Sequence, residues 1–182
     1  LAVEIKEVGI RNSPRHEKEI ENPVGDPDHL YVLVHGFNSQ PKHLNYVAQR
    51  MREALGSRAE VYIATCNRPT GPLSRHPTHD GVDRGGERLA VEIKEVIKGK
   101  SSLRHISLFG NSLGGLYARY AIGRLYDPST GLVAGLRPSA LITFASPHLG
   151  LRALVPKLME RMVKGLNLYG GDTVRQLLLL DG

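Results

Sequence analysis

The sequence contains a single cysteine and no apolar run as long as a membrane span. Since Cys66 is alone, an intramolecular disulfide is impossible, which favours a reducing compartment. Cys66 also has neither the partner base nor the positioned turn of a thiol nucleophile, so we interpret it as a buried residue at a strand end. The chain is not expected to cross a bilayer, and residues 1–7, which alternate charged and apolar side chains, do not form a signal peptide. These absences predict a cytoplasmic protein.

The charge balance is basic, with a formal net charge of +6 and a pI of about 9.6. Such a balance can indicate a nucleic acid or an anionic membrane surface as partner. Most basic residues, however, are scattered among carboxylates and lack the interleaved aromatics of single-strand binders. The exception is the segment 137–164, which begins at Arg137 and in which Glu160 alone opposes the later basic residues Arg152, Lys157, Arg161 and Lys164. We interpret it as a solvated face and expect no nucleic-acid partner.

Apolar segments of two kinds alternate along the 182 residues, a length that suits one domain. Short continuous runs predict strands, and runs with three- and four-residue spacing predict helices. The strands are expected at 30–34, 61–64, 106–109 and 141–145, and the helices at 44–55, 89–97 and 113–125. Buried strands separated by helices indicate a parallel sheet with right-handed crossovers. Functional residues of parallel sheets lie mostly at the carboxyl ends of the strands. Three candidates are predicted there: His35, Ser112 and His148.

The pentapeptide at residues 110–114 reads GNSLG, a G-x-S-x-G pattern between a predicted strand and a predicted helix. A strand, a sharp turn and a helix together lift a serine hydroxyl out of the backbone and onto a helix N-terminus. Flanking glycines permit the tight turn, and the helix N-terminus supplies positive potential and free N–H groups where an oxyanion would form. The alternative is an ordinary glycine-rich turn. We predict that Ser112 is a nucleophile.

Several motifs occur in a fixed order along the chain, at residues 34–37, 43–46, 80–83, 86–90, 111–120, 144–150 and 176–181. Together they resemble the DUF676-type serine esterases, which are lipase-like α/β-hydrolases. The resemblance implies an α/β-hydrolase-like three-layer sandwich with a mostly parallel sheet, over residues 29–182. Residues 1–28, which lack a hydrophobic period after an apolar start, are expected to form an irregular N-terminal extension.

The same resemblance implies hydrolysis of lipid-like acyl esters through an acyl-enzyme on Ser112, with no cofactor. It assigns the oxyanion hole to the backbone N–H groups of Phe37 and Leu113. His35 is expected to order the loop after the first strand, and His148 to lie near the site. The alternative is a catalytically inactive hydrolase fold that binds acyl lipid or a protein partner.

The expected triad is incomplete in this sequence. In α/β-hydrolases an Asp or Glu and then a His follow the nucleophile, each at the end of a later strand. No convincing strand follows 141–145, and His148 is the only histidine after Ser112. We expect a fragment that ends before the triad Asp and His and lacks the C-terminal strands; an inactive remnant is the alternative. Residues 1–182 alone should then expose a sheet edge, and be poorly soluble and nearly inactive.

Three further segments invite interpretation. His76 and His79 lie in a proline-rich loop with too few ligands for a metal, so we expect no metal site and interpret them as solvent-exposed. Residues 151–166 have helical spacing, which predicts either a helix packed on the sheet or a lid over Ser112. Methionines of such a lid would contact acyl chains, and its basic face an anionic membrane or lipid-droplet surface. Residues 1–8 repeat 89–96 identically, and we expect the first copy to lie outside the core.

Overall fold

A parallel sheet forms the centre of the fold. The computed structural model describes residues 25–71, 76–151 and 171–179. The strand order is β2-β1-β3-β6, with all neighbours parallel, and a separate antiparallel pair joins β4 to β5. The strands are β1 (His29–Val34), β2 (Ala59–Ile63), β3 (His105–Asn111), β4 (Tyr126–Asp127), β5 (Leu132–Val133) and β6 (Arg137–Phe144). The α-helices are α1 (Asn45–Leu55), α2 (Val82–Ile97), α3 (Leu113–Leu125) and α4 (Gly171–Leu177), and 3-10 helices span Pro41–Leu44, Gly56–Arg58 and Pro77–His79.

Helices cover both faces of the sheet. Since successive side chains of a strand point to opposite faces, the contacts of β1 show which helices lie on each face. On β1, Leu30 and Val32 belong to the apolar cluster that includes residues of α2 and α3. Leu33 belongs to a second cluster, in which Ala48 of α1 also lies. The layers are therefore α1, the sheet, and α2 with α3. This confirms the expected three-layer α/β architecture with a parallel sheet.

Helix α2 begins earlier than its apolar spacing predicted, at Val82 rather than near Leu89. Its first turns contain Gly85 and Gly86, which are poor helix formers. Both are buried against α3: a Cβ at Gly85 would lie 2.2 Å from Tyr117, and one at Gly86 would lie 2.5 Å from Tyr120. Close helix–helix contact thus outweighs the low helix propensity of these residues.

Strand β6 lies at the edge of the described sheet and is exposed, although its apolar run predicted a buried strand. We predicted the strand at 141–145 to be part of the buried core, and this is wrong: the side chains of Ile142 and Phe144 are 50% and 67% exposed. Among the described strands, β3 alone pairs with β6. The described sheet therefore has an exposed apolar edge at β6.

Several predictions fall on residues outside the described ranges. These are the first copy of the repeat at 1–8, the helix or lid at 151–166 apart from Leu151, and most of the N-terminal extension. The division into residues 1–28 and 29–182 also stays a prediction. No helix in the described ranges is long and apolar enough to span a membrane.

Glu92 of α2 secures the segment that follows β2. Its carboxylate accepts hydrogen bonds from the Tyr62 hydroxyl at 2.8 Å, from the N–H and hydroxyl of Thr65 at 2.8 and 2.7 Å, and from the Cys66 N–H at 3.1 Å. Burial disfavours the charged form, but the hydrogen bonds from Cys66, Thr65 and Tyr62 together outweigh it and lower the pKa of Glu92. Cys66 itself is half-buried rather than buried.

Replacing Glu92 with Gln should destabilise the fold in a pH-dependent way. Because the pKa of Glu92 lies below its ordinary value of 4.5, the carboxylate stabilises the fold fully above that pH, and the contribution is lost as the pH falls through the folded-state pKa. We expect Glu92→Gln to lower the free energy of unfolding at neutral pH by about 1–3 kcal/mol, and by less in acid. Urea denaturation at several pH values measures this.

Glu95→Gln is the matched control, because Glu95 lies on the same helix and its carboxylate is exposed, 3.8 Å from Lys98. Glu95→Gln should lower the free energy of unfolding by no more than about 0.5 kcal/mol at every pH. Equal losses for the two variants would contradict the role assigned to Glu92.

Candidate active site

Ser112 occupies a sharp turn between a strand and a helix. Strand β3 ends at Asn111, and α3 begins at Leu113. Ser112 between them has φ 53° and ψ −124°, a left-handed conformation that costs a non-glycine residue on the order of 1–3 kcal/mol. Hydrogen bonds hold it: the Ser112 N–H donates to the Phe144 carbonyl at 2.8 Å, and the Ser146 hydroxyl donates to the Ser112 carbonyl at 2.8 Å. The structure thus contains the strand–turn–helix geometry that lifts a serine side chain out of the backbone.

Glycines allow the backbone to approach itself closely around this turn. A Cβ at Gly110 would lie 2.4 Å from the Cα of Gly115. One at Gly114 would lie 2.2 Å from the carbonyl oxygen of Val34 and 2.7 Å from that of His35. The first turn of α3 therefore packs directly on the end of β1, with no room for a side chain.

The loop after β1, residues 35–39 (the β1 loop), lies against Ser112. A Cβ at Gly36 would lie 2.9 Å from the Ser112 Cβ and 3.4 Å from its hydroxyl oxygen. The next residue, Phe37, has an N–H with no acceptor among the described residues. Leu113 is the first residue of α3, at the positive end of the helix dipole. The β1 loop and the start of α3, which contain the predicted donors Phe37 and Leu113, thus both lie next to Ser112.

His35 lies inside the fold rather than facing the hydroxyl. Its side chain is 2% exposed, and its Nδ1–H donates to the Gly36 carbonyl at 3.1 Å, a contact within the loop that it was predicted to order. Burial lowers the pKa of His35, so its imidazole is neutral at neutral pH.

His148 is held by two other side chains. The Arg119 guanidinium donates to its Nδ1 at 3.0 Å, and the Thr143 hydroxyl lies 3.0 Å from its Nε2. Since arginine can only donate, Nδ1 is an acceptor, and in the neutral ring Nε2–H donates to Thr143. Both ring nitrogens are thus engaged. Among the described residues, no side chain forms a hydrogen bond with the Ser112 hydroxyl.

The 3-10 helix Pro77–His79 supports the β1 loop, which the sequence did not predict. The Asn38 N–H donates to the Thr78 hydroxyl at 3.1 Å. The His79 ring stacks on Phe37 with 4.8 Å between centroids, and its Nε2 lies 2.5 Å from the Asn38 side-chain oxygen. The interpretation of His76 and His79 as solvent-exposed is therefore wrong: both are half-buried. Because the 3-10 helix has no hydrophobic period, only the neighbouring motif at residues 80–83 could have drawn attention to it.

A family model matches most of the sequence. The model is described as "Putative serine esterase (DUF676)" and matches residues 25–177. The chain belongs to this family. The match includes the Ser112 turn, the β1 loop and α4.

Curated relatives of this DUF676 member are named as lipases. "Putative lipase ROG1" of Saccharomyces cerevisiae is 33% identical over 124 residues, which cover 68% of this chain and 18% of the relative. "Putative lipase C4A8.10" of Schizosaccharomyces pombe is 30% identical over 139 residues, covering 73% of this chain and 17% of the relative. The chain therefore spans under a fifth of the length of these two relatives.

A likeness to a solved structure is also found. It is the RedJ thioesterase from the prodiginine biosynthetic pathway of Streptomyces coelicolor, with a TM-score of 0.47 and 19% identity. The match covers 86% of this chain and 61% of that chain.

Two glycines of α3 in this DUF676 member allow a matched test of the close packing. Gly114→Ala should lower the free energy of unfolding by about 1–3 kcal/mol, the usual cost of overpacking, because the new Cβ meets backbone oxygens. Gly123 has nothing within 4 Å of a Cβ position, so Gly123→Ala should be neutral or stabilise by up to about 1 kcal/mol through helix propensity. Urea denaturation of both variants measures the difference, and equal stabilities would refute the close approach.

Proposed function

We propose that Ser112 is the nucleophile of a serine ester hydrolase, and that this chain supplies its nucleophile turn and oxyanion loop. The observation that carries the proposal is the left-handed conformation of Ser112 at the start of α3, with Gly36 directly against its side chain. Membership of the serine esterase family and the lipase names of the relatives support it.

The proposed reaction has two halves. The Ser112 oxygen attacks the acyl carbonyl carbon while its proton passes to a general base, and the carbonyl oxygen becomes negatively charged. That oxygen accepts hydrogen bonds from the N–H groups of Phe37 and Leu113. Collapse of the tetrahedral adduct transfers the proton to the departing alcohol and leaves an acyl-serine, which water hydrolyses in the second half. Because no described imidazole contacts the Ser112 hydroxyl, we assign the base to no residue.

Labelling with a fluorophosphonate probe tests the nucleophile, since the probe bonds covalently to an activated serine. In the full-length protein we expect labelling that Ser112→Ala abolishes, together with a loss of about 10⁴-fold or more in hydrolysis of an acyl ester. Ser139→Ala is the control, because Ser139 is an exposed serine on β6, and it should label like the unsubstituted protein. Labelling that survives in Ser112→Ala would refute the proposal.

A second candidate is a hydrolase fold that binds acyl lipid or a protein partner without catalysis. The observation that favours it is the engagement of both His148 nitrogens by Arg119 and Thr143, away from the Ser112 hydroxyl. A folded full-length protein that is not labelled by the probe, yet retains a radiolabelled fatty acid, would support this second candidate instead.

We further propose a lipid-like acyl substrate and a cytoplasmic protein that contacts a membrane or lipid-droplet surface peripherally. Exposed apolar side chains at and after the end of β6 support this: Phe144 is 67% and Leu149 is 92% exposed, and the Phe144 carbonyl accepts a hydrogen bond from the Ser112 N–H. Apolar side chains of this kind enter the boundary between lipid headgroups and acyl chains.

Vesicle flotation tests the lipid contact. The double variant Phe144→Ser, Leu149→Ser should weaken binding of the full-length protein to phospholipid vesicles by about tenfold or more, because each side chain loses apolar burial. Tyr46→Ser is the control, since Tyr46 is also exposed, at 74%, but lies on α1. Equal flotation of both variants would contradict a contact at this edge.

A further inference from the structure

Thr78 connects the β1 loop to the rest of the fold through its side chain. It lies in the 3-10 helix Pro77–His79 and is fully buried. Its hydroxyl oxygen is 2.8 Å from the His76 Nδ1, which also accepts from the Thr78 N–H at 3.3 Å. Since this nitrogen is an acceptor, the hydroxyl proton points to it. The lone pairs of the Thr78 oxygen are then free to accept from the Asn38 N–H at 3.1 Å.

The backbone carbonyl of Thr78 is fixed from the opposite side. It accepts a hydrogen bond from the Thr173 hydroxyl of α4 at 2.8 Å and a longer one from the Tyr117 hydroxyl of α3 at 3.5 Å. The Thr173 oxygen in turn accepts from the Gly81 N–H at 2.9 Å. Thr173 and Tyr117 are both fully buried. Thr78 therefore cannot shift without breaking buried hydrogen bonds to two helices.

An ion pair anchors the same 3-10 helix to α2. The Arg88 guanidinium donates to both oxygens of Asp80 at 2.6 and 2.8 Å, and to the Pro77 carbonyl at 2.9 Å. Two parallel hydrogen bonds of this kind fix direction as well as distance. The 3-10 helix is thus a rigid platform beneath the β1 loop.

The β1 loop needs such a support at the residue that Thr78 binds. Asn38 has φ 50°, a left-handed conformation that is strained for residues other than glycine. Asn38 directly follows Phe37, whose N–H is a proposed oxyanion donor. A change in the Asn38 conformation would move the Phe37 backbone relative to the Ser112 hydroxyl.

From these contacts we infer that Thr78 is a positioning residue for the oxyanion loop: its hydroxyl holds the Asn38 N–H, and so keeps the Phe37 N–H in place for the developing oxyanion. The inference rests on the proposed function. Thr78 touches no reacting atom; it acts through the backbone of the β1 loop.

Two substitutions separate the hydroxyl from the shape of the side chain. Thr78→Val keeps the shape and removes the hydroxyl, whereas Thr78→Ser keeps the hydroxyl and removes the methyl group. In the full-length protein we expect Thr78→Val to lower kcat for acyl-ester hydrolysis and the rate constant of fluorophosphonate labelling by about 10- to 100-fold, because a small misplacement of a catalytic group costs rate. KM should change by no more than about twofold, since the Phe37 N–H would bond to the substrate oxygen chiefly in the transition state. Thr78→Ser should retain most of both rates.

Hydrogen exchange gives a readout that needs no turnover. The Asn38 amide should exchange at least about tenfold faster in Thr78→Val than in the unsubstituted protein or Thr78→Ser, because its acceptor is lost. Where Thr78→Val does not fold, Thr173→Val takes its place: it removes the donor to the Thr78 carbonyl and should lower kcat by a few-fold at unchanged KM.

The outcomes distinguish the inference from the proposed function. If Ser112 of the unsubstituted protein does not react with the probe, the proposed function fails and this inference with it. If Ser112 reacts but the rate is unchanged in Thr78→Val, or in Thr173→Val where that variant is used, the inference alone is overturned. Equal rate losses in Thr78→Val and Thr78→Ser also overturn it, since packing rather than the hydroxyl would then be responsible.

Discussion

The candidate site depends on one constraint: three backbone segments meet where none has room for a side chain. The first turn of α3 lies on the carbonyl oxygens at the end of β1, and a Cβ at Gly114 would overlap them. Gly36 of the β1 loop also lies close to Ser112, since a Cβ at Gly36 would be 2.9 Å from the Ser112 Cβ. Because proteins pack to crystal-like density, such contacts leave little freedom of position. Close backbone contacts set the position of Ser112 and of the β1 loop, and side-chain hydrogen bonds from Ser146 and Thr78 add to them.

Residues far apart in the sequence complete this arrangement. The β1 loop bonds to Thr78, and Thr78 bonds to Thr173 of α4. Gln176 of α4 also accepts a hydrogen bond from the Val82 N–H at 2.6 Å, which satisfies one of the N–H groups left without an intrahelical partner at the start of α2. Helix α4 thus stabilises both the start of α2 and the 3-10 helix beneath the β1 loop. The site is a product of the whole described fold rather than of the pentapeptide around Ser112.

The sequence predicted the elements whose patterns are local. Helix α3 was expected at 113–125 and spans Leu113–Leu125, because its apolar spacing and the preceding turn are both continuous in sequence. The start of α2 was missed, since its glycines signal flexibility unless the tyrosines of α3 are already known to cover them. The apolar run at 141–145 predicted a buried strand, because such a run cannot report whether a neighbouring strand lies beside it. The lack of a further predicted strand had instead predicted an open sheet edge, and β6 lies at the edge of the described sheet.

In the site, too, local sequence patterns predicted some parts, whereas parts that depend on tertiary contacts were not predicted. The turn at Ser112 was predicted because the motif lies between a strand and a helix in immediate succession. The β1 loop was found through a resemblance between ordered motifs. Thr78 and His79 were not, because a proline-rich loop has no period and its partners, Asn38 and Phe37, are reached only through the tertiary fold. Hydrogen bonds between distant loops leave no mark on local sequence pattern.

A cysteine and a serine follow parallel strands at the same edge of the sheet, but the electrostatic potentials around them have opposite signs. Cys66 follows β2, where burial and the negative charge of Glu92 raise the pKa of its thiol, so the reactive thiolate is scarce. Ser112 follows β3, at a helix N-terminus whose dipole favours negative charge. Strand order alone would allow chemistry at either position. The helix that begins beside the serine, and the carboxylate that lies beside the cysteine, favour the serine.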